Sequence, residues 1–434
     1  MNWAHILSGA WLKGSIRLWL FDLGCVSFLG VALLGLIMVL GLPFIEPGDT
    51  QQKVDTLVLL MNMAIGSICI AISWQMNRLA ATEWACIVPQ YRQNVMLQAA
   101  ALLLLILSVA CGFYIAYDAF DKVTESLISL LLGLSFLYFS LARKNAFHLS
   151  FFLYISLPML PYLAQKLPQG ASWALLLLNL MLLLLVKNKL QGLTWNNKAR
   201  SVYLNGLEMG WVWLPSPRSM ALLNRIEHSL HPANYFIGPV FSMLLLLMPL
   251  TTLLLAVIGH YYAVQIPVLV FLVQFNCILC GMLHWSRIQR WRAVESLFVL
   301  PGFDGKQGMI NVFMQAQYRL LAILVVSMMI TASIVSLLDQ SMSLSLWLHM
   351  VLTTLFGCAA TLGLGSMCRN SMQISGLIFF IGLLSGWSSV GISSVEQSQQ
   401  VWGLIGWDLL FLSLSMLSLW GAKRCLWRGD LLSQ

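Results

Sequence analysis

The chain has 434 residues, of which 59% are hydrophobic and 9% are charged, and its mean hydropathy is +0.82. Soluble globular proteins carry roughly 25% charged residues, so this composition excludes an ordinary soluble domain. The formal net charge of +8 raises the question of nucleic acid, but the basic residues are distributed by predicted side of a membrane. The expected surroundings are therefore membrane lipids, and no nucleic acid is expected as a partner.

The N-terminal stretch predicts a helix that lies in the membrane interface. It combines the bulky apolar residues Trp3, Ile6, Leu7 and Trp11 with the basic residues Lys13 and Arg17. Helices that lie in the interface carry this mixture. No short apolar core followed by a small-residue cleavage site is evident, so we do not expect this stretch to be a signal peptide.

Apolar runs long enough to cross about 30 Å of hydrocarbon as helices recur along the whole chain. We therefore predict an all-α polytopic membrane protein. Twelve spans are expected, at residues 18–43, 56–76, 96–117, 126–142, 147–165, 171–186, 237–260, 264–285, 319–338, 343–367, 372–392 and 401–422. The fourth and sixth runs are short and Pro158 and Pro161 interrupt the fifth, so ten or eleven full crossings are the alternatives.

The basic residues give the predicted orientation. With twelve spans, 21 of the 24 lysines and arginines fall on one side, and only Lys53, Lys122 and Lys166 fall on the other. Basic residues collect in cytoplasmic loops. Both termini are therefore predicted to be cytoplasmic, in a multi-pass protein of the cell inner membrane.

A polar stretch between the second and third predicted spans recurs between the eighth and ninth. Arg78, Glu83, Pro89 and Tyr91 of the first copy match Arg290, Glu295, Pro301 and Phe303 of the second, 212 residues later. Repetition at a fixed offset indicates an internal repeat, here two parallel halves of six spans. The predicted divisions are a first half at 1–187, a cytoplasmic or interfacial linker at 188–236 that includes a second amphipathic helix, and a second half at 237–434.

Few ionisable residues fall inside the predicted spans. Such residues are costly in hydrocarbon and are candidates for function, and three stand out: Asp22, Asp408 and His349. They are candidates for an intramembrane polar or substrate path. Cys277 and Cys280 have the spacing of a metal half-site, but no second pair accompanies them, so packing is the favoured interpretation and no metal is expected.

The sequence contains no catalytic motif that indicates an enzyme. The sequence has no phosphate-cradling Gly-rich loop that ends in Lys-Ser or Lys-Thr, no His-Glu-x-x-His helix and no Gly-x-Ser-x-Gly elbow. The chain is therefore not expected to hydrolyse ATP by itself or to hold a cofactor. Each copy of the repeated stretch combines charged and apolar residues and ends at a proline, which is typical of a short interfacial helix offered to a soluble partner.

This arrangement resembles the membrane subunits of ABC-2 type exporters. Those permeases have six spans per unit, an amphipathic helix before the first span, and a coupling helix between spans two and three that docks on an ATPase. The resemblance implies that Arg78, Glu83 and Pro89, with Arg290, Glu295 and Pro301, occupy coupling-helix positions. It also implies alternating access driven by ATP on separate cytoplasmic ABC ATPase subunits, with Pro158, Pro161 and Pro168 hinting at re-entrant helices near spans five and six.

Two other classes share part of the pattern. Twelve-span secondary transporters of the major facilitator type have the same parallel six-plus-six repeat, inward termini and long middle loop, although their second loop is Gly-rich and this one has no glycine between Asn77 and Leu97. A membrane-embedded enzyme acting on lipid or polyprenyl substrates would need polar residues that converge within the spans. The transported substrate is not indicated by the sequence.

Overall fold

The computed structural model describes residues 10–427 except 13, 21–22, 46–49, 144–145, 169, 201–220, 238–239, 263–266, 291–293, 295–296, 298–302, 339–341 and 397–401. Throughout this described part the regular structure is helical and no strand occurs, which confirms the all-α prediction. The chain divides into two compact units, Met1–Asn205 and Gly206–Gln434. Each unit is considered by itself below.

Unit 1 contains a short helix before the first long one and a broken segment before the last. Its helices are α1 Ser15–Trp19, α2 Leu23–Ile45, α3 Thr50–Ala81, α4 Trp84–Ile87, α5 Tyr91–Ala116, α6 Val123–Ala142, α7 Ser150–Ser156, α8 Leu160–Gln165 and α9 Ala171–Gln191.

Unit 2 begins with two short helices and continues with six long ones. They are α10 Ala221–Ser229, α11 Ala233–Ile237, α12 Val240–Tyr262, α13 Val268–Gln289, α14 Gly305–Leu338, α15 Leu344–Met367, α16 Ser371–Glu396 and α17 Trp402–Cys425. The side chains of α10 follow an amphipathic pattern, since Leu223 is buried whereas Asn224 and Arg225 are exposed.

In the described residues, eleven helices are long and apolar enough to cross a membrane, which supports a multi-pass membrane protein. The sequence pattern predicts twelve. The difference lies at the fifth predicted span, where α7 and α8 are separated by a 3-10 turn at Leu157–Met159. Pro158 and Pro161 account for the break, because proline cannot donate the backbone hydrogen bond of a helix and its ring clashes with the preceding turn.

Leu157, at this break, is fully buried against helix α3. A methyl group added to Gly66 of α3 would lie 2.5 Å from Leu157 Cδ1, closer than carbon atoms approach without strain. The missing side chain of Gly66 therefore makes the space into which Leu157 packs.

Helices α3, α13 and α15 form the cores of their units, since about four fifths of the residues in their most apolar segments are buried. In unit 1, α3 packs on α2 and α6, and α6 packs on α9; in unit 2, α15 packs on α13, α14, α16 and α17. Small residues permit the closest approach, as membrane helix interfaces commonly require. A methyl group on Gly363 of α15 would lie 2.8 Å from the Leu419 backbone nitrogen of α17.

Arginine contacts show which helix ends of unit 1 lie together. Arg92 at the start of α5 donates to the Leu190 carbonyl at the end of α9 (2.7 Å). Arg78 at the end of α3 donates to the Leu18 carbonyl in α1 (3.0 Å). The start of α2, the end of α3, the start of α5 and the end of α9 therefore share one end of the unit, here called the basic end.

The basic end of unit 2 is defined in the same way. Arg287 near the end of α13 donates to the Cys368 carbonyl just after α15 (2.9 Å). Arg290 donates to the Tyr235 carbonyl in α11 (3.4 Å). Trp427, just beyond α17, has its ring 5.2 Å from that of Phe313 near the start of α14, so the chain enters and leaves the six long helices of this unit at one end.

Candidate functional site

The first copy of the repeated stretch forms a compact connection between α3 and α5. Glu83 lies in a turn, the four-residue helix α4 follows, and Pro89 lies in a second turn before Tyr91 begins α5. Gln90 has a positive φ of 61°, so the chain makes a sharp left-handed turn after the proline. The expected short helix ended by proline is therefore present.

Arg78 and Arg290 make equivalent contacts in their units. Each lies at the end of the second long helix and donates to a backbone carbonyl of the short helix that precedes the first long helix, Leu18 in unit 1 and Tyr235 in unit 2. Helix carbonyls near a C-terminus attract cations. Each arginine therefore bonds the polar stretch of its unit to the segment that precedes the first long helix of that unit.

Glu83 pairs with a residue of the same unit. Its carboxylate accepts a hydrogen bond from Arg200, at the end of the segment that follows α9, and the Asn196 backbone N–H donates to the Ala80 carbonyl (3.0 Å). Both charged side chains are about half exposed, so the pair contributes little stability. The pair and the backbone bond hold the described segment after α9 against the connection between α3 and α5.

Three apolar residues of this connection are exposed. Ile87 is 68% exposed and Val88 is 37% exposed, and the adjoining Pro89 is exposed as well. We call Ile87, Val88 and Pro89 the α4 patch. The sequence alone emphasises the charged members of this stretch, whereas the structure engages Arg78 and Glu83 in intrachain contacts and leaves the apolar members outward.

The second copy is described only in part. Glu295 and Pro301 lie outside the described residues. Of the described neighbours, Val294 and Leu297 are buried, and the Phe303 ring stacks on that of His231 at 6.3 Å. The described apolar residues of the second copy therefore pack inward.

The structure brings together two of the three predicted intramembrane residues. His349 of α15 and Asp408 of α17 are both fully buried, and His349 Nδ1 lies 2.7 Å from Asp408 Oδ2. Trp387 of α16 donates from Nε1 to Asp408 Oδ1 (2.8 Å). Asp22 lies outside the described residues. Sequence reasoning did not find Trp387, because an indole in a membrane helix is ordinarily a packing residue.

Unit 1 holds a buried polar cluster whose carboxylate, Glu125, lies just before the fourth predicted span at residues 126–142. Glu125 in the first turn of α6 is 6% exposed and accepts from Asn62 Nδ2 of α3 (3.1 Å). Ser126 Oγ donates to Asn62 Oδ1 (2.5 Å), and the Tyr114 hydroxyl lies 2.6 Å from Ser126 Oγ. Each polar group thus has a partner, as buried groups require.

Arg287 is also more deeply placed than its position near a span end suggests. Its side chain is 6% exposed, donates to the carbonyls of Gly365 and Cys368, and lies 6.0 Å from the Trp427 ring. His284, one turn earlier, is fully buried. A methyl group on Gly365 would lie 2.4 Å from His284 Cδ2, so this glycine admits the imidazole between α13 and α15.

The described residues contain no group of three or more metal-ligating side chains suited to an ion. Cys277 and Cys358 approach to 4.0 Å between their sulfur atoms, and they are free thiols buried between α13 and α15. This is compatible with cysteine as a small apolar packing residue.

Comparison with protein-family models, with curated proteins and with solved structures finds no match for this chain.

Proposed function

We propose that the chain is the permease subunit of an ATP-driven transporter of the ABC-2 type, resident in the cell inner membrane and moved through alternating access by a separate cytoplasmic ATPase. The observation that carries this proposal is the α4 patch. Ile87, Val88 and Pro89 are exposed in the connection between two long membrane helices, the connection in which permeases of the ABC-2 type carry a coupling helix. Exposed apolar residues with polar neighbours mark docking surfaces.

The contacts of Arg78 and Glu83 support this function. Arg78 joins the end of α3 to α1. Glu83, which follows α3, pairs with Arg200 in the segment after α9. A partner that pushes on the α4 patch therefore acts on the entry to the first span and on the linker. A force at one short helix would reach several elements through direct contacts.

The pairing of helix ends supports six crossings in each unit. In unit 1, α6 begins at the end opposite the basic end and finishes at the basic end. Helix α9 also finishes at the basic end, so it begins at the opposite end. The intervening residues 143–170 must then cross once, as the broken pair α7 and α8. In unit 2, the six long helices begin and finish at the basic end. These contacts support six crossings in each unit, and the positive-inside rule favours a cytoplasmic location for each basic end.

Mutation of the α4 patch tests the docking role. The full chain is purified with its ATPase, which is recognised by mass spectrometry through a phosphate-cradling Gly-rich loop in its own sequence. Combined Ile87→Ser and Val88→Ser should weaken retention of the ATPase about tenfold or more, because truncation of buried interface anchors costs more than about 1 kcal/mol each.

A matched control lies at the opposite end of unit 1, where Ile115 is 70% exposed and Phe120 is 59% exposed. Ile115→Ser with Phe120→Ser removes a comparable amount of exposed apolar surface and should leave the ATPase bound. Equal retention by both double variants, or equal loss, would contradict the proposed docking surface.

The secondary transporter is the alternative that one observation favours. Ion-coupled transporters use ionisable residues within their spans, and His349 and Asp408 form such a pair in unit 2. The two functions differ in their energy source. Transport by purified chain alone in vesicles with a proton gradient would favour the secondary transporter, whereas transport that requires the ATPase and ATP would favour the ABC-2 type.

A further inference from the structure

The His349 and Asp408 pair has an unusual arrangement of hydrogen-bond donors and acceptors. Both oxygens of Asp408 are engaged, Oδ2 with His349 Nδ1 and Oδ1 with Trp387 Nε1. His349 Nε2 is buried and has no hydrogen-bond partner. No donor in the described residues occupies this nitrogen, so it is open to a proton.

The arrangement determines where a proton can bind. When Asp408 is ionised, the ring hydrogen on Nδ1 is donated to it, and Nε2 then carries a free lone pair. The pair has a net charge of −1 in this state, which is costly in a buried site. Transfer of a proton from hydronium to the Nε2 lone pair forms an N–H bond, breaks an O–H bond and leaves water. The imidazole becomes imidazolium, and the net charge of the pair becomes zero.

The space around the ring suits a proton and is too small for a larger ligand. A methyl group on Gly391 of α16 would lie 2.8 Å from His349 Nε2 and 2.3 Å from Cδ2. The α16 backbone therefore closes over the ring at a distance that a side chain would not allow. A metal ion or a substrate group at Nε2 would have to displace this helix.

Other charged groups lie at a different depth. His349 is in the second turn of α15, close to the end opposite the basic end, and Asp408 is the only charged residue with which it forms a described ion pair. The remaining described ionisable side chains of this helix and of the helices packed on it lie further toward the basic end: Cys358 on α15; Cys277, Cys280, His284 and Arg287 on α13; Lys306, Tyr318 and Arg319 on α14; and Lys423, Arg424 and Cys425 on α17. No described side chain of α16 is ionisable, and the side chain of Glu396, the last residue of α16, lies outside the described residues.

We propose that His349 and Asp408 form a reversible proton-binding site in unit 2, in which His349 Nε2 takes up one exchangeable proton and Asp408 balances the charge of the imidazolium. Trp387 is a positioning residue, because it holds the carboxylate oxygen that does not face the ring. The site lies where α15, α16 and α17 meet, so its change of charge acts on the packing of these three helices. This inference is independent of the ATPase proposed above.

Infrared difference spectroscopy of the full chain in detergent tests the proposal by titration from mildly acidic to mildly alkaline pH. The wild-type spectrum should contain one titrating component that both His349→Gln and Asp408→Asn remove, because strongly interacting groups titrate as a pair. Trp387→Phe should move the midpoint of this component without removing it. Glu125→Gln, at the buried carboxylate of unit 1, should leave it unchanged.

Isotope labelling together with Trp387→Phe keeps the test decisive if removal of His349 or Asp408 prevents folding, because the component must both shift with labelled histidine and move in this variant. In wild-type protein with isotope-labelled histidine, the titrating component should shift in frequency. The proposal would be overturned by a wild-type spectrum with no such component, by a component that lacks the histidine isotope shift, or by one that survives in folded His349→Gln and Asp408→Asn protein.

Discussion

Both units bury a carboxylate near the end opposite the basic end, but the partners of the two carboxylates differ in kind. Glu125 of unit 1 accepts a hydrogen bond from the amide of Asn62. Asp408 of unit 2 faces the imidazole of His349. An amide keeps its protons over the whole physiological pH range, whereas histidine gains or loses one within it. The partner of Glu125 therefore keeps a fixed charge, whereas the partner of Asp408 in the proposed proton-binding site is itself ionisable.

The fifth predicted span explains part of this difference. In unit 1, Pro158 and Pro161 break it, and Leu157 at the break packs on Gly66. In unit 2, the corresponding helix α16 runs unbroken from Ser371 to Glu396. Because α16 is unbroken, Trp387 can donate a hydrogen bond to Asp408, and the backbone at Gly391 can lie against the ring of His349. The two units thus use the same position in the chain for different purposes.

Removal of the buried carboxylates should give the largest effect. Asp408→Ala leaves the ring of His349 and the indole of Trp387 without their acceptor, and two buried donors left unsatisfied should cost about 2 to 6 kcal/mol. Glu125→Ala leaves the Asn62 amide unpaired and should cost about 1 to 3 kcal/mol. Urea unfolding of the full chain in detergent measures both values. An equal or greater loss of stability from Glu125→Ala would contradict this predicted order.

Close helix contacts should give the next effect. Gly363→Ala forces a methyl group against the α17 backbone at Leu419 and should cost about 2 to 3 kcal/mol. Gly66→Ala meets the end of the Leu157 side chain, which can move because it lies at a break between two short helices. We expect a loss of roughly 1 kcal/mol or less there. Thermal unfolding in detergent compares the two variants, and the opposite order would mean that the broken segment is the more rigid of the two.

The smallest effect should come from two residues that share the repeat offset. Gln75 precedes Arg287 by 212 residues, and both are buried near their basic ends. Arg287→Met removes the hydrogen bonds to Gly365 and Cys368 and should cost about 1 to 2 kcal/mol. Gln75 Oε1 has no hydrogen-bond partner, so Gln75→Met should be neutral or slightly stabilising. Unfolding midpoints of the two variants provide the measurement, and a larger loss from Gln75→Met would be incompatible with these roles.

The long helices were predictable because apolar length alone determines membrane spans. Eleven runs appear as continuous helices, and the prolines that break the remaining one were visible in the sequence. The short helix after Glu83 was also predictable from the mixture of charged and apolar residues before Pro89. In these cases the signal is local, so neighbouring residues were sufficient to find it.

The contacts within the candidate sites were not predictable, because they join distant residues. His349 and Asp408 are 59 positions apart, and Glu83 and Arg200 are 117 apart. No single helix pattern reveals which residues face one another across three packed helices. The burial of Glu125 was hidden for a related reason, since an acid at the start of a span has the appearance of a loop residue until Asn62 is known to oppose it.

The docking role of the α4 patch is tested most directly by photocrosslinking in intact cells. A photoreactive amino acid in place of Ile87 should form an adduct with an ATP-hydrolysing cytoplasmic protein that carries a phosphate-cradling Gly-rich loop. The same amino acid in place of Phe120, at the opposite end of unit 1, should not form this adduct. Absence of the adduct from position 87, or its formation from position 120, would contradict the account.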